Sequence, residues 1–198
     1  MAYREVIKYP DNRLRKKSLP VTDYSDPVIQ KLVEDLFDTL NVTGGVGISA
    51  PQIGTNLRVI AIKTDDFQEL MINPVVTSAE DSKMMNEGCL SFPGIYENVE
   101  RFDTVDVEYM NLKGETISAI ASGLPAQIIQ HEIEHLDGRL IVDNVSLLKA
   151  NRIKKKMAPK IEKTTSQEKK IGGKSKLTKL SKKELRIRRM RKKKNRKR

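Results

Sequence analysis

The sequence predicts an α+β domain followed by a basic extension. Three observations support this: apolar residues recur at helical spacing on both sides of the middle of the chain, short strand-like runs fill the middle, and hydrophobic content falls sharply after Pro159. The chain has 198 residues, enough for one ordinary domain with an appendage. We therefore assign residues 1–158 to the folded domain and residues 159–198 to a Lys/Arg-rich extension.

The first predicted element is an amphipathic helix over residues 26–40. Asp26 can cap its first turn, and Pro27 suits the first helical position. Its apolar residues recur every three or four positions and are expected to form one core-facing side. They are Val28, Ile29, Leu32, Val33, Leu36, Phe37 and Leu40.

Short β-strands are predicted next, over residues 59–62, 70–73, 104–109 and 116–121. Residues 111–114 would turn the last two strands into a hairpin. The β-rich section therefore lies between two helical regions.

Two more helices are predicted after the strands. The first starts just after Ser122 and ends at Gly138, because glycine suits the left-handed position that follows a helix. Its apolar spacing marks it as buried, through Ile128, Ile129, Ile133 and Leu136. The second is short, covers about residues 147–157 and ends before Pro159.

Charge divides the chain near Lys149. Residues 149–198 contain 24 Lys and Arg against three acidic residues, so they carry +21. The formal net charge is +11, which leaves −10 for residues 1–148. The two parts are expected to meet different partners.

The sequence also suggests where the protein acts. No apolar run is long enough to cross a bilayer, and the first residues lack the pattern of a secretory signal. The single cysteine, Cys89, excludes an intramolecular disulfide and fits a reducing compartment. We expect a cytoplasmic protein with no membrane partner, and a monomer.

The strongest indication of chemistry is the run His131-Glu132-Ile133-Glu134-His135 in the predicted buried helix. Histidines four residues apart share a helix face, where both can bind one divalent metal while Glu132 handles the proton of a bound water. Such runs also occur by chance on surface helices. An otherwise apolar helix, however, does not bury two imidazoles and a carboxylate without partners.

A hydrolytic metal site also needs a third protein ligand, and no other histidine exists. Cys89 is the candidate, because a metal would deprotonate its thiol and thiolate binds such metals strongly. The alternative is that Cys89 is a small buried apolar residue, the commoner role of a single cysteine.

Three segments resemble, in order and approximate spacing, the signature motifs of peptide deformylases. They are Gly45-Val46-Gly47-Ile48-Ser49-Ala50-Pro51-Gln52, Glu87-Gly88-Cys89-Leu90-Ser91 and Gln130-His131-Glu132-Ile133-Glu134-His135. The resemblance spans residues 1–157. It implies antiparallel β-sheets that surround a central metal-binding helix, in an enzyme that hydrolyses the N-formyl group of the N-terminal formylmethionine of nascent polypeptides and releases formate.

The same resemblance implies a metal site. Cys89, His131 and His135 would bind one divalent ion per chain, usually Fe2+ in this family, with Zn2+, Ni2+ or Co2+ as substitutes.

It also implies catalytic and substrate-binding roles. Glu132 would take a proton from the attacking water and deliver it to the departing amine. The Gln52 side-chain amide and the Leu90 backbone N–H would stabilise the oxyanion. The residues expected at the substrate, some of them near the methionine pocket, are Gly45, Val46, Gly47, Leu124 and Ile128.

Two positions depart from the family pattern. Ser49 stands where alanine is commoner, and Glu134 replaces the more usual Asp between the histidines. Neither change removes a ligand, the base or an oxyanion donor. Glu134 is expected to affect how an outer partner orients the helix or the metal ligands.

The basic extension over residues 159–198 suggests a separate function. Bacterial-type family members are also basic near their C-terminus and dock on the ribosome through it. Residues 160–176 resemble a solvated linker, and a basic helix is possible near residues 181–196. We expect ribosomal RNA binding through phosphates, without base stacking because the extension has no aromatic residue. The alternative is a disordered, solubilising tail.

Two other functions remain open. A zinc metalloprotease with the same helix motif would take its third ligand downstream, where Asp137, Asp143 and a few glutamates are available. The other is a ribosome-binding protein whose hydrolytic site is vestigial. The intact set of metal ligands in this sequence argues against it, because such a protein would not need to keep them.

Overall fold

The computed structural model describes residues 3–158. Three expectations concern the part of the chain outside these residues and stay predictions. They are the domain boundary at residue 158, the linker over residues 160–176 and the basic helix near residues 181–196. Within residues 3–158, none of the helices combines the length and apolar character that a membrane crossing requires.

The described residues contain three α-helices and five β-strands. In chain order these are α1 (Pro27–Thr43), β1 (Gly47–Ser49), β2 (Val59–Lys63), β3 (Gln68–Gly88), β4 (Tyr96–Met110), β5 (Thr116–Ser122), α2 (Leu124–Leu136) and α3 (Leu147–Met157). Short 3-10 turns lie at Asn12–Arg15, Ala50–Ile53 and Ile141–Asp143.

The strands form one antiparallel five-stranded sheet in the order β1-β2-β3-β4-β5. The short strand β1 therefore lies at an edge of the sheet. Helix α2 contacts all five strands, so it is the central helix that the sheet surrounds. The predicted α+β class is confirmed.

Strands β3 and β4 are much longer than the runs predicted for them. Their extra residues pair in a ribbon that ends at Gly88 and Tyr96. Most side chains of β3 between Thr77 and Asn86 are exposed, so no alternating apolar pattern marked them as a strand. Their backbone groups bond instead to the next strand, as in the pairs Ser78–Asp106 and Asn86–Asn98, and side-chain polarity does not reveal this pairing.

Helix α1 has the predicted start. The Asp26 side chain accepts a hydrogen bond from the Val28 backbone N–H at 2.8 Å. The apolar face packs in a core with residues of β1 and β2, and its members Ile29, Leu32, Leu36 and Leu40 are buried. Val28 does not belong to that face, since it is 61% exposed. The buried side of α1 begins one residue later, at Ile29.

Helices α2 and α3 agree closely with their predicted bounds. Gly138 follows α2 with a φ of 72°, in the left-handed region expected after a helix end. Helix α3 packs Ala150 and Ile153 against Phe92 and Ile95, which lie just after Cys89. The last described helix is thus in direct contact with the segment that carries the candidate thiol ligand.

Leu36→Ala should destabilise the protein by about 2–5 kcal/mol, because Leu36 is fully buried between α1 and the sheet and its loss leaves a cavity. Val42→Ala, on an exposed position of the same helix, should change stability by less than about 0.5 kcal/mol. Urea unfolding of the metal-loaded protein measures both. An equal decrease of the free energy of unfolding in the two variants would show that α1 does not pack as described.

Candidate metal centre

Three ligand-type side chains meet where the end of β3 approaches α2. The donor atoms of Cys89, His131 and His135 all lie within 4.8 Å of one another. Cys89 Sγ lies 3.3 Å from His135 Nε2. Ligands at tetrahedral positions around one zinc-like ion are separated by about 3.5 Å, so this donor set fits a single divalent metal.

Glu132 lies beside this cluster and is almost fully buried, with 3% of its surface exposed. Gly47 makes room for it: a Cβ on Gly47 would lie 2.8 Å from Glu132 Oε1 and 2.4 Å from Ile128 Cγ2. Burial raises the pKa of Glu132 to about 7. A carboxyl group with that pKa can both accept and return a proton near neutral pH.

Gln52 is held with its amide nitrogen towards the cluster. Its Oε1 accepts hydrogen bonds from the Ser49 backbone N–H at 2.9 Å and from the Ser49 hydroxyl at 3.0 Å. Its Nε2 then donates to Ser91 Oγ at 3.2 Å and approaches Cys89 Sγ at 3.7 Å. Ser49, where the family more often has alanine, therefore adds a second contact that fixes the Gln52 amide.

A cavity of about 410 Å³ opens beside the cluster. All five residues predicted at the substrate line it, together with Cys89, Leu90, His131 and Glu132. Gln52 and His135 are buried and do not line it. The structure thus brings the three sequence motifs together around one cavity.

A buried chain of charges that no sequence pattern indicated supports His131. The Glu87 carboxylate lies 3.0 Å from His131 Nδ1 and accepts two hydrogen bonds from Arg101, at 2.6 and 3.1 Å. Arg101 also donates to Glu134 at 2.9 Å. A carboxylate bonded to the outer nitrogen of a histidine orients the ring and makes it a better ligand.

The charges in this chain stabilise one another. Burial opposes ionisation of Glu87, but hydrogen bonds from His131 and Arg101 lower its pKa to about 2. Burial likewise opposes the charge on Arg101, yet hydrogen bonds to Glu87 and Glu134 raise its pKa above the ordinary value. Glu87 was visible in the second motif, whereas Arg101 stands in no motif and nothing in the sequence pointed to it.

Glu134, the second departure from the family pattern, lies at the outer end of this chain. Besides the bond from Arg101 it accepts one from Asn144 Nδ2 at 2.6 Å. The expected influence of Glu134 on the metal ligands therefore has a physical route through Arg101 and Glu87 to His131.

The two histidines differ in their surroundings. Burial lowers the pKa of His135 well below its ordinary value, and its Nδ1 has no hydrogen-bond partner within residues 3–158. For His131 burial acts in the same direction, but the Cys89 sulfur and the Glu87 carboxylate outweigh it and raise the pKa. A metal that binds here must therefore displace a proton from this cluster.

Within residues 3–158, the downstream ligands considered for a metalloprotease, Asp137 and Asp143, are engaged elsewhere. Asp137 forms an ion pair with Arg58 at 2.7 Å, and Asp143 forms one with Arg15. Neither belongs to the Cys89, His131 and His135 cluster. The geometry therefore favours Cys89 as the third donor.

Comparison with known proteins agrees with this arrangement. Residues 3–151 match the family described as polypeptide deformylase. The chain belongs to this family. Peptide deformylase 1 of Burkholderia multivorans is 45% identical over 161 residues, which are 79% of this chain and 88% of that protein. Peptide deformylase 2 of Xanthomonas axonopodis pv. citri is 38% identical over 163 residues, covering 80% and 96%.

The fold matches as well. A peptide deformylase from Legionella pneumophila superimposes with a TM-score of 0.75 at 39% identity, over 79% of this chain and 94% of that one. The family, the fold and the enzyme class that the sequence predicted are confirmed. The protein is a metal-dependent deformylase that removes the N-formyl group from nascent polypeptides, and its Cys/His/His cluster can hold a metal.

Cys89→Ala should lower metal affinity by more than about 100-fold, because a ligand contributes more than the outer contacts whose loss costs about 10–100-fold. Asp137→Ala should retain the metal, since its partner is Arg58. Metal content after gel filtration, measured by mass spectrometry, compares the two. Metal loss in the Asp137 variant alone would favour the protease arrangement.

Glu87→Gln should weaken metal binding by about 10–100-fold, because His131 loses the carboxylate that orients it. Glu100→Gln is the matched control, since that carboxylate is exposed on β4 and bonds only Ser82 among the described contacts. Competition with a chromogenic chelator gives both affinities. Unchanged affinity in the Glu87 variant would show that its contact with His131 is only structural.

Proposed function

We propose that Cys89, His131 and His135 bind one divalent metal ion, preferably Fe2+, with Zn2+, Ni2+ or Co2+ as substitutes. The observation that carries this proposal is the convergence of their donor atoms within 4.8 Å, next to a buried carboxyl group and at the wall of the cavity. Thiolate and imidazole donors suit all four of these ions.

A metal held there would act as a Lewis acid that lowers the pKa of water and polarises the formyl carbonyl. Glu132 supplies the proton transfers. Its carboxylate accepts a proton from the attacking water and delivers it to the departing amine, which completes the hydrolysis with release of formate. Its pKa of about 7 places both protonation states within reach at neutral pH.

Gln52 and Leu90 stabilise the negative charge that develops on the formyl oxygen. Ser49 holds the Gln52 amide with its nitrogen directed towards Cys89 and Ser91, so this donor is oriented towards the cluster before the charge appears. The Leu90 backbone N–H follows directly after Cys89 in the cavity wall and supplies the second donor.

The substrate binds along the edge of the sheet. Within residues 3–158, strand β1 pairs with another strand on one side only, so an extended peptide can pair with the chain at Gly45, Val46 and Gly47 as an added strand. The methionine side chain enters the cavity near Leu124 and Ile128, which line it from α2.

The basic end of the chain binds ribosomal RNA near the site of protein synthesis, in the cytoplasm, and the enzyme acts as a monomer. Support comes from the charge of +21 over residues 149–198. The described part of this segment already presents a cationic surface, because Arg152, Lys154, Lys155 and Lys156 of α3 are all exposed. Phosphate contacts of this type position a protein without reading sequence.

Glu132→Ala should lower kcat by about 10²–10⁴-fold, the usual contribution of a general acid–base group. Glu108→Ala, an exposed acidic position on β4, should leave kcat unchanged. Formate release from a formyl-methionyl peptide by the metal-loaded enzymes measures both, with metal content determined in parallel. Equal activity of the Glu132 variant and the natural chain would defeat the mechanism.

Deletion of residues 160–198 should abolish co-sedimentation with ribosomes at low salt while leaving formate release from a short peptide intact. Binding by the full chain should weaken steeply as salt rises, because it releases counterions from phosphates. Co-sedimentation unchanged by the deletion would instead support a tail that only solubilises the protein.

A further inference from the structure

Three exposed apolar side chains line the cavity beside the candidate metal centre. Tyr96 is 70% exposed, Leu124 51% and Val46 43%. Large apolar side chains that remain in water next to a cavity usually mark a surface that a ligand covers. A role in binding the methionine residue is already proposed for Val46 and Leu124, whereas no role has been proposed for Tyr96.

Tyr96 lies next to the reaction centre. Tyr96 pairs with Gly88 at the end of the β3–β4 ribbon, and Gly88 immediately precedes Cys89. Its ring lies over the Gly88 backbone, since a Cβ on Gly88 would be 2.7 Å from Tyr96 Cε1. Within residues 3–158, the Tyr96 hydroxyl has no hydrogen bond and the ring has no aromatic neighbour. The packing of the protein itself therefore does not explain this side chain.

The backbone that presents Tyr96 is firmly anchored. The preceding residue, Ile95, is buried beside Phe92, whose ring stacks on Tyr9 with centroids 5.0 Å apart. The following residue, Glu97, forms an ion pair with Lys149 of α3 at 2.8 Å. A ring on such a support can select a ligand, because little conformational freedom is lost when it binds.

The exposed part of the cavity wall carries no charge. Within residues 3–158, Glu87, His131 and Glu132 line the cavity and are buried, and the Cys89 thiol lines it and is half-buried. A charged substrate side chain that covers Tyr96, Leu124 and Val46 would lose water over an uncharged patch, and this desolvation would be unfavourable. Lys149, which is paired with Glu97, and Lys156, which donates to the Gly94 carbonyl, do not line the cavity. An apolar side chain would instead gain burial.

We propose that Tyr96 is a specificity-determining residue that contacts the side chain of the second or third residue of the nascent peptide and favours apolar over charged residues there. The inference rests on the proposed function, because a formyl group at the metal centre directs the following residues past the cavity mouth. Successive side chains of an extended peptide point to opposite sides, so one of these two positions faces Tyr96.

The test compares kcat/KM for four peptides: formyl-Met-Leu-Ala, formyl-Met-Asp-Ala, formyl-Met-Ala-Leu and formyl-Met-Ala-Asp. The readout is the preference for Leu over Asp at each position. Tyr96→Ala should lower this preference by about 5-fold at one position, the effect of losing one aromatic contact. Tyr96→Phe should keep the preference, because the ring and not the hydroxyl makes the contact.

Tyr3→Ala is the matched control, since Tyr3 is 50% exposed and does not line the cavity, and it should preserve the preference. The same preference at both positions in Tyr96→Ala and in the natural chain would overturn the proposal. Absence of formate release from all four peptides with the natural chain would contradict the proposed function instead, so the two failures are distinguishable.

Discussion

Glu87 holds a negative charge inside the protein, with 4% of its surface exposed, between the ring of His131 and the guanidinium of Arg101. Removing a carboxylate from water costs several kcal/mol unless its oxygens are satisfied, and here both are. The three residues belong to β3, α2 and β4, so this contact joins three elements behind the metal ligands. This contact holds the ring of His131 in position. The distance between His131 and Cys89 therefore depends on the same contact.

The apolar surroundings make the polar site effective. Helix α2 is covered by the sheet on its apolar side, with Ile129 and Leu136 fully buried, while the same helix directs His131, Glu132 and His135 towards the cluster. In such a medium each hydrogen bond and charge interaction is stronger than in water, and each unpaired group is more costly. Burial therefore explains both the raised pKa of Glu132 and the fixed amide of Gln52.

Helix α3 combines a contact near the reaction centre with a basic surface. On one side it packs on the segment after Cys89, and Lys156 donates to the Gly94 carbonyl at 3.0 Å. On the other side it presents exposed Lys154 and Lys155 to solvent. One helix thus supports the cavity mouth and carries exposed cationic side chains.

Much of the fold could be predicted from sequence because it depends on neighbouring residues. Asp26 with Pro27 marks the start of α1, Gly138 marks the end of α2, and the four-residue spacing of His131 and His135 places both rings on one face whatever the rest of the chain does. Only the tertiary structure decided the long β3–β4 ribbon, the exposure of Val28 and the role of Arg101. Arg101 reaches Glu134, 33 residues further along the chain, and Glu87, 14 residues before it. Such contacts depend on the path of the whole backbone, whereas caps and helical spacing act within one or two turns.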